Sequence, residues 1–301
     1  MLLRQFEYLV ALAREKHFGR AAASLDVAQP SLSAGIRDLE RRLDVRIVER
    51  GHRFSGFTTE GERVLERARR ILAERDGLRA DLDQLRSGLS GALRIGAIPT
   101  ALPLAPRLIA PFTERFPGAT IRLLSLTSVE IQRGLDEFDL DVGLTYLDNE
   151  PLDRVRPKPL YSEDYLLLTP AQGAFRGRAS VRWSEAARAP LCLLTSDMQN
   201  RRIIDSVFRS IGVTPRPVFE TNSIINLCTQ VGSGLWSSVI PRQLLGAFEL
   251  PAGVEALPLV EPVARRLVGL VAPDREPQAA LTVAFMALAP AFSEEERGVA
   301  G

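Results

Sequence analysis

The stretch from Phe18 to Leu43 constrains this chain most, because it predicts two short helices joined by a tight turn. The first helix is predicted from about Gly19 to Leu25, and the turn follows at Asp26, a residue type that bonds its own backbone. Pro30 falls in the first turn of the second helix, where its missing N–H costs no hydrogen bond. Apolar residues at helical spacing then predict one buried stripe, formed by Leu32, Ile36, Leu39 and Leu43.

The opposite face of the second helix is polar. Short hydroxyls and an amide near a helix N-terminus suit a major groove, because they approach base edges and phosphates closely. The residues concerned are Gln29, Ser31, Ser33 and Arg37, with Arg41, Arg42 and Arg46 as a positive margin. Taken alone, the same pattern also fits the corner of an ordinary helical bundle with a solvated polar face.

Two further segments flank this pair of helices. Apolar residues at helical spacing predict an amphipathic helix over residues 2–15. Residues 45–58 are typical of a two-stranded wing with a Gly-rich tip, from which Arg50, His52 and Arg53 reach phosphates or a minor groove. The pattern therefore predicts a helix-turn-helix followed by a wing, while the residues alone leave both DNA binding and an ordinary bundle corner open.

After Thr58 the chain has no proline for about forty residues and is rich in Arg, Glu, Leu and Ala. The apolar residues predict one long helix with a coiled-coil-like seam, which pairs with a second copy or packs on its own head. The seam residues are Val64, Ala68, Ile71, Leu78, Leu82, Leu85 and Leu89. The segment from Ser87 to Gly91 ends this helix as a hinge.

The remaining two-thirds of the chain alternates between predicted strands and helices. The order strand, helix, strand, helix, strand over residues 92–146 predicts a parallel α/β sheet, and a second such unit follows over residues 164–241. Open α/β sheets bind ligands beyond the carboxyl ends of their strands, where helix N-termini supply donors. Polar residues at these places suit a small anion such as a carboxylate, although each one is also explained as a helix cap.

Composition excludes several classes of protein. Lys and Arg number 38 against 37 Asp and Glu, so the net charge of +1 carries little information. The only histidines are His17 and His52, which leaves no Ser-His-Asp machinery and no histidine metal site beyond residue 52. Cys192 and Cys228 lack metal-site spacing, so buried free thiols are favoured over a disulfide. We predict no metal and no cofactor.

The remaining exclusions concern membranes, export and catalysis. No apolar run reaches the length of a membrane span, and no secretory signal opens the chain, so a cytoplasmic protein is expected. No G-x-S-x-G motif occurs, and the glycine pair at Gly232 and Gly234 lacks the third glycine of a dinucleotide site. An enzyme is therefore not expected.

The pattern F-x-R-A-A-x-x-L-x-V-x-Q-P-S-L-S-x-x-I-x-x-L-E-x-x-L-x-V-R-[IL]-x-E-R, matched from Phe18 to Arg50, resembles the LysR-type transcriptional regulators. The chain departs from the family's pattern at Gly19, at Ala28 and at Ala34-Gly35, which predicts a shifted DNA sequence preference. The resemblance implies DNA contacts from Arg20, Gln29, Pro30, Ser31, Ser33, Arg37, Arg50 and Arg53.

The second half of the chain resembles the effector domain of the same family, for example at Leu93-Arg-Ile-Gly and Leu140-Asp-Val-Gly-Leu. The implied fold is multi-domain: an all-α winged helix-turn-helix over residues 1–58, a linker helix over 59–90, and an α/β two-lobed, periplasmic-binding-protein-like effector domain over 91–301. Lobe I covers about 91–162 and 267–301, and lobe II about 163–266. The implied effector contacts are Thr100, Ala101, Thr127, Ser128, Thr145, Tyr146, Met198, Arg201, Asn222 and Ser223.

The resemblance also implies partners. These are double-stranded promoter DNA, a small-molecule effector and further copies of the chain, as a homodimer through the linker helix and then a homotetramer. RNA polymerase is a further candidate. The effector, the promoter and the direction of regulation stay open. The alternative is a solute-binding protein or small-molecule enzyme of α/β fold with an unrelated helical N-terminal domain.

Overall fold

The computed structural model describes residues 2–49, 54–246 and 249–290, and the side chains of residues 80, 81 and 83–87 lie outside this description. The chain divides into two compact units, Met1–Gly88 and Leu89–Gly301. The helices of the first unit are α1 (Leu2–Glu15), α2 (Phe18–Ser24), α3 (Gln29–Leu43) and α4 (Thr59–Ser87).

Helices α1, α2 and α3 enclose a small apolar core. Leu12, Ala21 and Leu32, one from each helix, have no exposed surface. The predicted buried stripe of α3 is present except at its last position, because Leu43 is 40% exposed. Asp44 takes a left-handed conformation and ends the helix directly after Leu43, so this side chain lies at the rim of the unit and not in its core.

The wing is held to α3 by one carboxylate. Glu40 Oε1 accepts hydrogen bonds from the backbone N–H groups of Ile47, at 2.8 Å, and Val48, at 3.0 Å. Val48 pairs antiparallel with Phe57, which forms the base of the predicted two-stranded wing. The predicted tip residues Arg50, His52 and Arg53 lie outside the described residues.

The start of α4 is fastened to the wing by Thr58 and Gly61. The Gly61 N–H donates to Thr58 Oγ1 at 2.9 Å, which caps the helix. A Cβ at Gly61 would lie 2.1 Å from the carbonyl oxygen of Ile47, so only glycine fits this close approach. Leu65 and Ala68 are buried in the same cluster as residues of α1. The first half of α4 therefore packs on its own head.

Beyond Ala68, α4 exposes apolar residues of the predicted seam. Ile71, Leu78 and Leu82 are 41%, 61% and 47% exposed, although they lie on the predicted seam. None of the described helices, including α4, is both long enough and apolar enough to cross a bilayer.

The second unit contains ten strands and six α-helices among the described residues. The strands are β1 (Ser90–Ala97), β2 (Gly118–Ser125), β3 (Val142–Tyr146), β4 (Val155–Pro170), β5 (Val181–Arg182), β6 (Cys192–Leu194), β7 (Phe219–Thr221), β8 (Ser238–Pro241), β9 (Val254–Val260) and β10 (Arg265–Pro273). The helices are α5 (Ala105–Arg115), α6 (Ser128–Asp136), α7 (Trp183–Ala186), α8 (Gln199–Ser210), α9 (Ile224–Gly232) and α10 (Ala280–Leu288).

The main sheet has the order β2-β1-β3-β10-β4-β9-β5, with β8 paired to β4, and β6 and β7 form a second small sheet. Strand β1 runs parallel to β2 and β3, as predicted, but β10 is antiparallel to both β3 and β4. The parallel arrangement predicted over residues 92–146 is confirmed, whereas β4 runs antiparallel to β8, which corrects the prediction of a second parallel unit; the sheet as a whole is mixed. Strands β5 and β9 and the first ten residues of β4 were not predicted.

The long strand β4 divides the unit into two lobes. Its residues 155–164 pair with β10, and its residues 165–170 pair with β8 and β9. Lobe I contains β1, β2 and β3 with α5, α6 and α10, and lobe II contains β5 to β9 with α7, α8 and α9. Strands β4 and β10 cross between the lobes beside Asp164 and Arg265, which are register partners.

Candidate DNA interface and inter-lobe cavity

The exposed face of α3 presents most of the predicted DNA contacts. Gln29, Pro30, Ser31 and Arg37 are exposed, as is Arg20 of α2, and Ser33 is half-buried. Ala28, the residue before α3, makes no side-chain hydrogen bond to the helix start. Pro30 has no N–H and the Ser31 N–H donates to Ala28 O at 3.0 Å, so the Gln29 N–H is the first-turn donor that no described acceptor satisfies, and a free N–H at a helix start attracts phosphate.

Some arginines near α3 form ion pairs with a carboxylate of the protein, and others do not. Arg41 and Arg42 both form ion pairs with Asp38, and the hydrogen bond from Arg42 is the main cause that lowers the pKa of Asp38. The predicted positive margin is therefore partly neutralised. Arg37 is exposed and forms no ion pair with a residue that the structure describes, which makes it the strongest candidate cation of this face.

Two of the departures from the family pattern have structural compensation. His17 Nδ1 accepts from the N–H groups of Gly19, at 3.1 Å, and Arg20, at 3.3 Å, so His17 caps α2 in place of a hydroxyl residue at Gly19. A Cβ at Gly35 would lie 2.5 Å from the ring of Tyr8. Gly35 therefore faces α1, whereas Ala34 is exposed.

A small cavity lies between the two lobes of the second unit. Its volume is only about 10 Å³, and it is bounded by the start of α6 from lobe I and the start of α8 from lobe II. Although several lining residues are polar, the surface that they expose to the cavity is almost wholly apolar. The lining residues are Ile98, Pro99, Thr100, Thr127, Ser128, Leu194, Met198, Gln199 and Asn200.

Four of the ten predicted effector contacts line this cavity, namely Thr100, Thr127, Ser128 and Met198. Thr127 also caps α6, with its hydroxyl accepting from the Glu130 N–H at 3.2 Å. The structure places the other six outside the cavity wall: Ala101, Thr145, Tyr146, Arg201, Asn222 and Ser223. Five lining residues were missed: Ile98, Pro99, Leu194, Gln199 and Asn200.

Five of the six have a structural setting that explains their position, and Asn222 is exposed. Ala101 and Thr145 have no exposed surface, and Ser223 caps α9 by accepting from the Asn226 N–H at 3.2 Å. Arg201 is buried, and its guanidinium donates to Leu194 O at 2.7 Å and binds Asp205 and Glu220. Burial opposes its charge, yet the hydrogen bonds to these two carboxylates raise the pKa of Arg201. The positive charge of Arg201 is thus neutralised by carboxylates inside lobe II.

Tyr146 lies beneath the cavity and joins the two lobes. Its hydroxyl donates to Glu163 Oε1 at 2.6 Å and accepts from Asn200 Nδ2 at 2.9 Å. Thr100 Oγ1 lies 3.5 Å from the same hydroxyl. Because Thr100 and Asn200 line the cavity, a hydrogen-bonded path leads from the cavity wall to Glu163 on β4, beside the crossing between the lobes.

Glu163 is a fully buried carboxyl group. Burial raises its pKa to about 8, with Asp148 and Asp164 acting in the same direction, while the hydrogen bond from Tyr146 opposes the shift. A carboxyl with this pKa is protonated through most of the neutral range. The crossing between the lobes is therefore built around an uncharged acid.

Helix α8 makes two further contacts to the loop that follows β3. Gln199 Nε2 donates to the backbone carbonyl of Asn149. Arg202 Nε donates to both carboxylate oxygens of Glu150, at 2.9 and 3.1 Å. Together with the bond from Asn200 to Tyr146, these contacts hold the start of α8 against lobe I.

The two cysteines are free and buried, as predicted. Burial raises the pKa of Cys192 to about 11 and that of Cys228 to about 12, so both are thiols at neutral pH. Within the described part of the chain, no group of three or more His, Cys, Asp or Glu side chains is arranged to hold a metal ion.

Known proteins resemble this chain over nearly its whole length. A model of the bacterial regulatory helix-turn-helix proteins of the lysR family matches residues 3–62, and a model of the LysR substrate binding domain matches residues 86–292. The DNA-binding transcriptional dual regulator OxyR of Escherichia coli strain K12 is 32% identical over 272 residues, which cover 90% of this chain and 89% of that protein.

Solved structures agree with the match in sequence. A full-length OxyR from Pseudomonas aeruginosa, in which a cysteine is replaced by aspartate, has a TM-score of 0.74 at 28% identity, and the match covers 97% of this chain and 98% of that one. A Corynebacterium glutamicum OxyR mutant with H2O2 bound has a TM-score of 0.60 at 26% identity, covering 95% and 90%.

The raised pKa of Glu163 predicts a pH-dependent stability of the second unit. Folded protein keeps the proton up to about pH 8, whereas unfolded chain releases it near the ordinary value of 4.5. The contribution of Glu163 to the free energy of unfolding is largest below about pH 4.5. It falls by about 1.4 kcal/mol for each pH unit above that value and is lost at about pH 8. Glu163→Gln should remove this decline, so that the variant gains stability relative to wild type as the pH rises.

The measurement is urea unfolding at several pH values, followed by tryptophan fluorescence, because Trp183 and Trp236 both lie in the second unit. Glu114→Gln is the matched control, since Glu114 is an exposed carboxylate, and it should follow wild type at every pH. Parallel curves for wild type and Glu163→Gln would show that Glu163 is ionised in the folded protein.

Proposed function

The chain belongs to the LysR family of transcriptional regulators, and we propose that it binds promoter DNA through α3 and senses a small anion or carboxylate in the inter-lobe cavity. As a member of this family it is a DNA-binding regulator and not an enzyme. The observation that supports the proposal is the cavity itself, whose wall combines the start of α6 from lobe I with the start of α8 from lobe II. A molecule bound there contacts both lobes.

The alternative of a solute-binding protein or enzyme with an unrelated head does not account for both parts of the chain. The family models match the helix-turn-helix and the effector domain in the same chain, in the order of a LysR regulator. A regulator of chromosomal promoters would act in the cytoplasm of a bacterium.

The exposed face of α3 supports the DNA-binding part of the proposal. Its first turn offers the backbone N–H of Gln29 without a side-chain cap, and Arg37 adds a cation that no described carboxylate neutralises. A cation that contacts phosphate or a base edge strengthens binding and makes it more sensitive to salt.

Replacing this cation tests the DNA-binding surface. Arg37→Ala should weaken binding to a fragment of the chain's own upstream intergenic DNA by about tenfold and lower the salt slope by about one. Fluorescence anisotropy over a range of salt concentrations measures both quantities. Arg70→Ala is the control, because it removes the same charge from an exposed position on α4. An equal loss in the two variants would mean that only net charge matters.

The exposed apolar residues on the second half of α4 support a homodimer. Leu78 and Leu82 lie one turn apart and are both exposed, although they continue the series whose earlier members pack on α1. Exposed leucines at this spacing on a long helix suit pairing with a second α4. Two such dimers would form the homotetramer that we also propose.

The double substitution Leu78→Glu and Leu82→Glu tests this dimer. The added charges would be desolvated in a helix pair, so the variant should be monomeric at micromolar concentration, as measured by light scattering during size-exclusion chromatography. Asp76→Lys lies on the opposite face of α4 and should leave the dimer intact. A variant that remains dimeric would place the interface elsewhere.

The starts of α6 and α8 support an anionic effector. None of the described residues that line the cavity is Lys or Arg, so attraction for an anion would come from backbone N–H groups and from the Thr100 and Ser128 hydroxyls. Such a ligand shifts the lobes only if it binds one arrangement more tightly than another.

Several relatives are named for hydrogen peroxide, yet the thiols of this chain do not support a response by cysteine oxidation. Peroxide reacts with thiolates, whereas burial keeps Cys192 and Cys228 protonated. Neither of them lines the cavity. We therefore propose that the chain responds to a bound effector and not to oxidation of its own cysteines.

Removal of both thiols tests this distinction. Promoter binding by the variant with Cys192→Ala and Cys228→Ala should equal that of wild type, before and after exposure to a small excess of hydrogen peroxide. Gel shifts report binding, and circular dichroism confirms that the variant is folded. A peroxide-dependent change in wild type that disappears in the double variant would contradict the proposal.

A further inference from the structure

We propose that His17 is a further DNA-contacting residue, whose neutral imidazole donates a hydrogen bond from Nε2 to a backbone phosphate of the duplex. This inference rests on the proposed function, because it concerns the same DNA-binding head. It adds a residue that stands directly before α2 and that the sequence pattern did not single out for DNA.

The first argument is the hydrogen bonding of the imidazole ring. His17 Nδ1 accepts from the backbone N–H groups of Gly19, at 3.1 Å, and Arg20, at 3.3 Å. A ring nitrogen that accepts from N–H groups carries no proton of its own, so the proton of the neutral ring lies on Nε2. These two backbone donors are thus satisfied, and the Nε2–H group is the donor that the ring has left.

The second argument is that this donor is free. His17 is exposed, and no residue that the structure describes accepts a hydrogen bond from Nε2. Arg20, the other polar side chain at the start of α2, is bound within the protein. Its guanidinium donates to Glu15 O at 2.7 Å and lies 3.9 Å from the Glu15 carboxylate. His17 is therefore the available donor at this point of the surface.

The third argument is the position of the ring beside the start of α3. A Cβ built at Gly19 would lie 3.1 Å from His17 Cε1 and 3.4 Å from Gln29 Oε1. The ring carbon that adjoins Nε2 and the side chain of Gln29 therefore border the same small space. Gln29 is a predicted base contact, so His17 lies at the same part of the DNA-binding face. A larger residue at position 19 would crowd the ring, and Gly19 permits this arrangement.

The place of α2 in the motif identifies the acceptor as a phosphate. In a helix-turn-helix, the second helix enters the major groove, while the first helix crosses the DNA backbone. Here these helices are α3 and α2, so a residue directly before α2 meets the backbone at the edge of the groove. A neutral donor on a phosphate positions the protein without reading a base. It also leaves the salt slope unchanged, because that slope counts the charges that neutralise phosphates.

The experiment removes the donor and keeps the cap. His17→Ser and His17→Asn both retain a side-chain oxygen that caps a helix, and neither places a donor where Nε2 lies. Gln172→Ser is the matched control, because it shortens an exposed neutral side chain in the second unit.

Two measurements use the full-length proteins. Fluorescence anisotropy over a range of salt concentrations gives the affinity for a fragment of the chain's own upstream intergenic DNA and for a scrambled duplex of the same length. Ethylation of single phosphates in the upstream fragment then shows which phosphates each protein needs.

We expect both His17 variants to bind both duplexes about tenfold more weakly than wild type, because each loses one hydrogen bond to a charged group. The salt slope should stay the same. One phosphate whose ethylation blocks wild type should no longer matter to the variants. Gln172→Ser should match wild type, and circular dichroism with thermal unfolding should show that every variant is folded.

Four results would overturn the inference. A loss confined to the upstream fragment would indicate a base contact, and a lower salt slope would indicate a charged imidazole. A lower midpoint of thermal unfolding in both variants, with an unchanged ethylation pattern, would assign His17 to the cap alone. Equal binding by wild type and both variants would leave the α3 surface in place without His17. Failure of wild type to bind either duplex would overturn the proposed function as well.

Discussion

The hydroxyl oxygen of Tyr146 sets the relative position of the two lobes of the second unit, Leu89–Gly301. Tyr146 is the last residue of β3 in lobe I. Its hydroxyl donates to Glu163 on the crossing strand β4 and accepts from Asn200 at the start of α8 in lobe II. Each of these groups is buried, so each bond that it makes avoids a desolvation penalty. The relative position of the lobes is therefore coupled to the same groups that border the cavity.

Arg201 and Arg202 of α8 form ion pairs with carboxylates of the protein, so a ligand in the cavity would be recognised by neutral groups. Arg201 binds two carboxylates within lobe II, and Arg202 binds Glu150 of lobe I. An anion in the cavity would meet backbone N–H groups and hydroxyls instead of a guanidinium. Such partial charges give weaker binding than a buried ion pair, which suits a sensor that must release its ligand when the concentration falls.

Periodicity predicted much of the fold, because α1 and α3 each bury one regular stripe. The first half of β4 was missed because Pro157 and Pro159 argue against a strand. They are tolerated there because residues 155–164 pair only with β10, so the other edge of β4 needs no N–H donors.

The site was predictable only in part. Thr100, Thr127, Ser128 and Met198 follow strands or begin helices, and this rule placed them at the cavity. Gln199 and Asn200 were missed because a sequence does not show which side of a first turn faces a cleft. Arg201 was placed there for its charge, but its partner Glu220 lies 19 residues away, and only the folded structure brings them together.

The close contact of Gly61 with Ile47 fixes the start of α4 to the head, so the helix and the head move as one body. At 1.5 Å per residue, the 29 residues of α4 span about 43 Å, and the first turns are locked to the wing and to α1. The head and the helix must then turn together. By simple geometry, a tilt of about 5° displaces the far end by about 4 Å, close to the rise of one base pair. Conversely, a tilt of the same size about the far end of α4 would carry the head through the same distance.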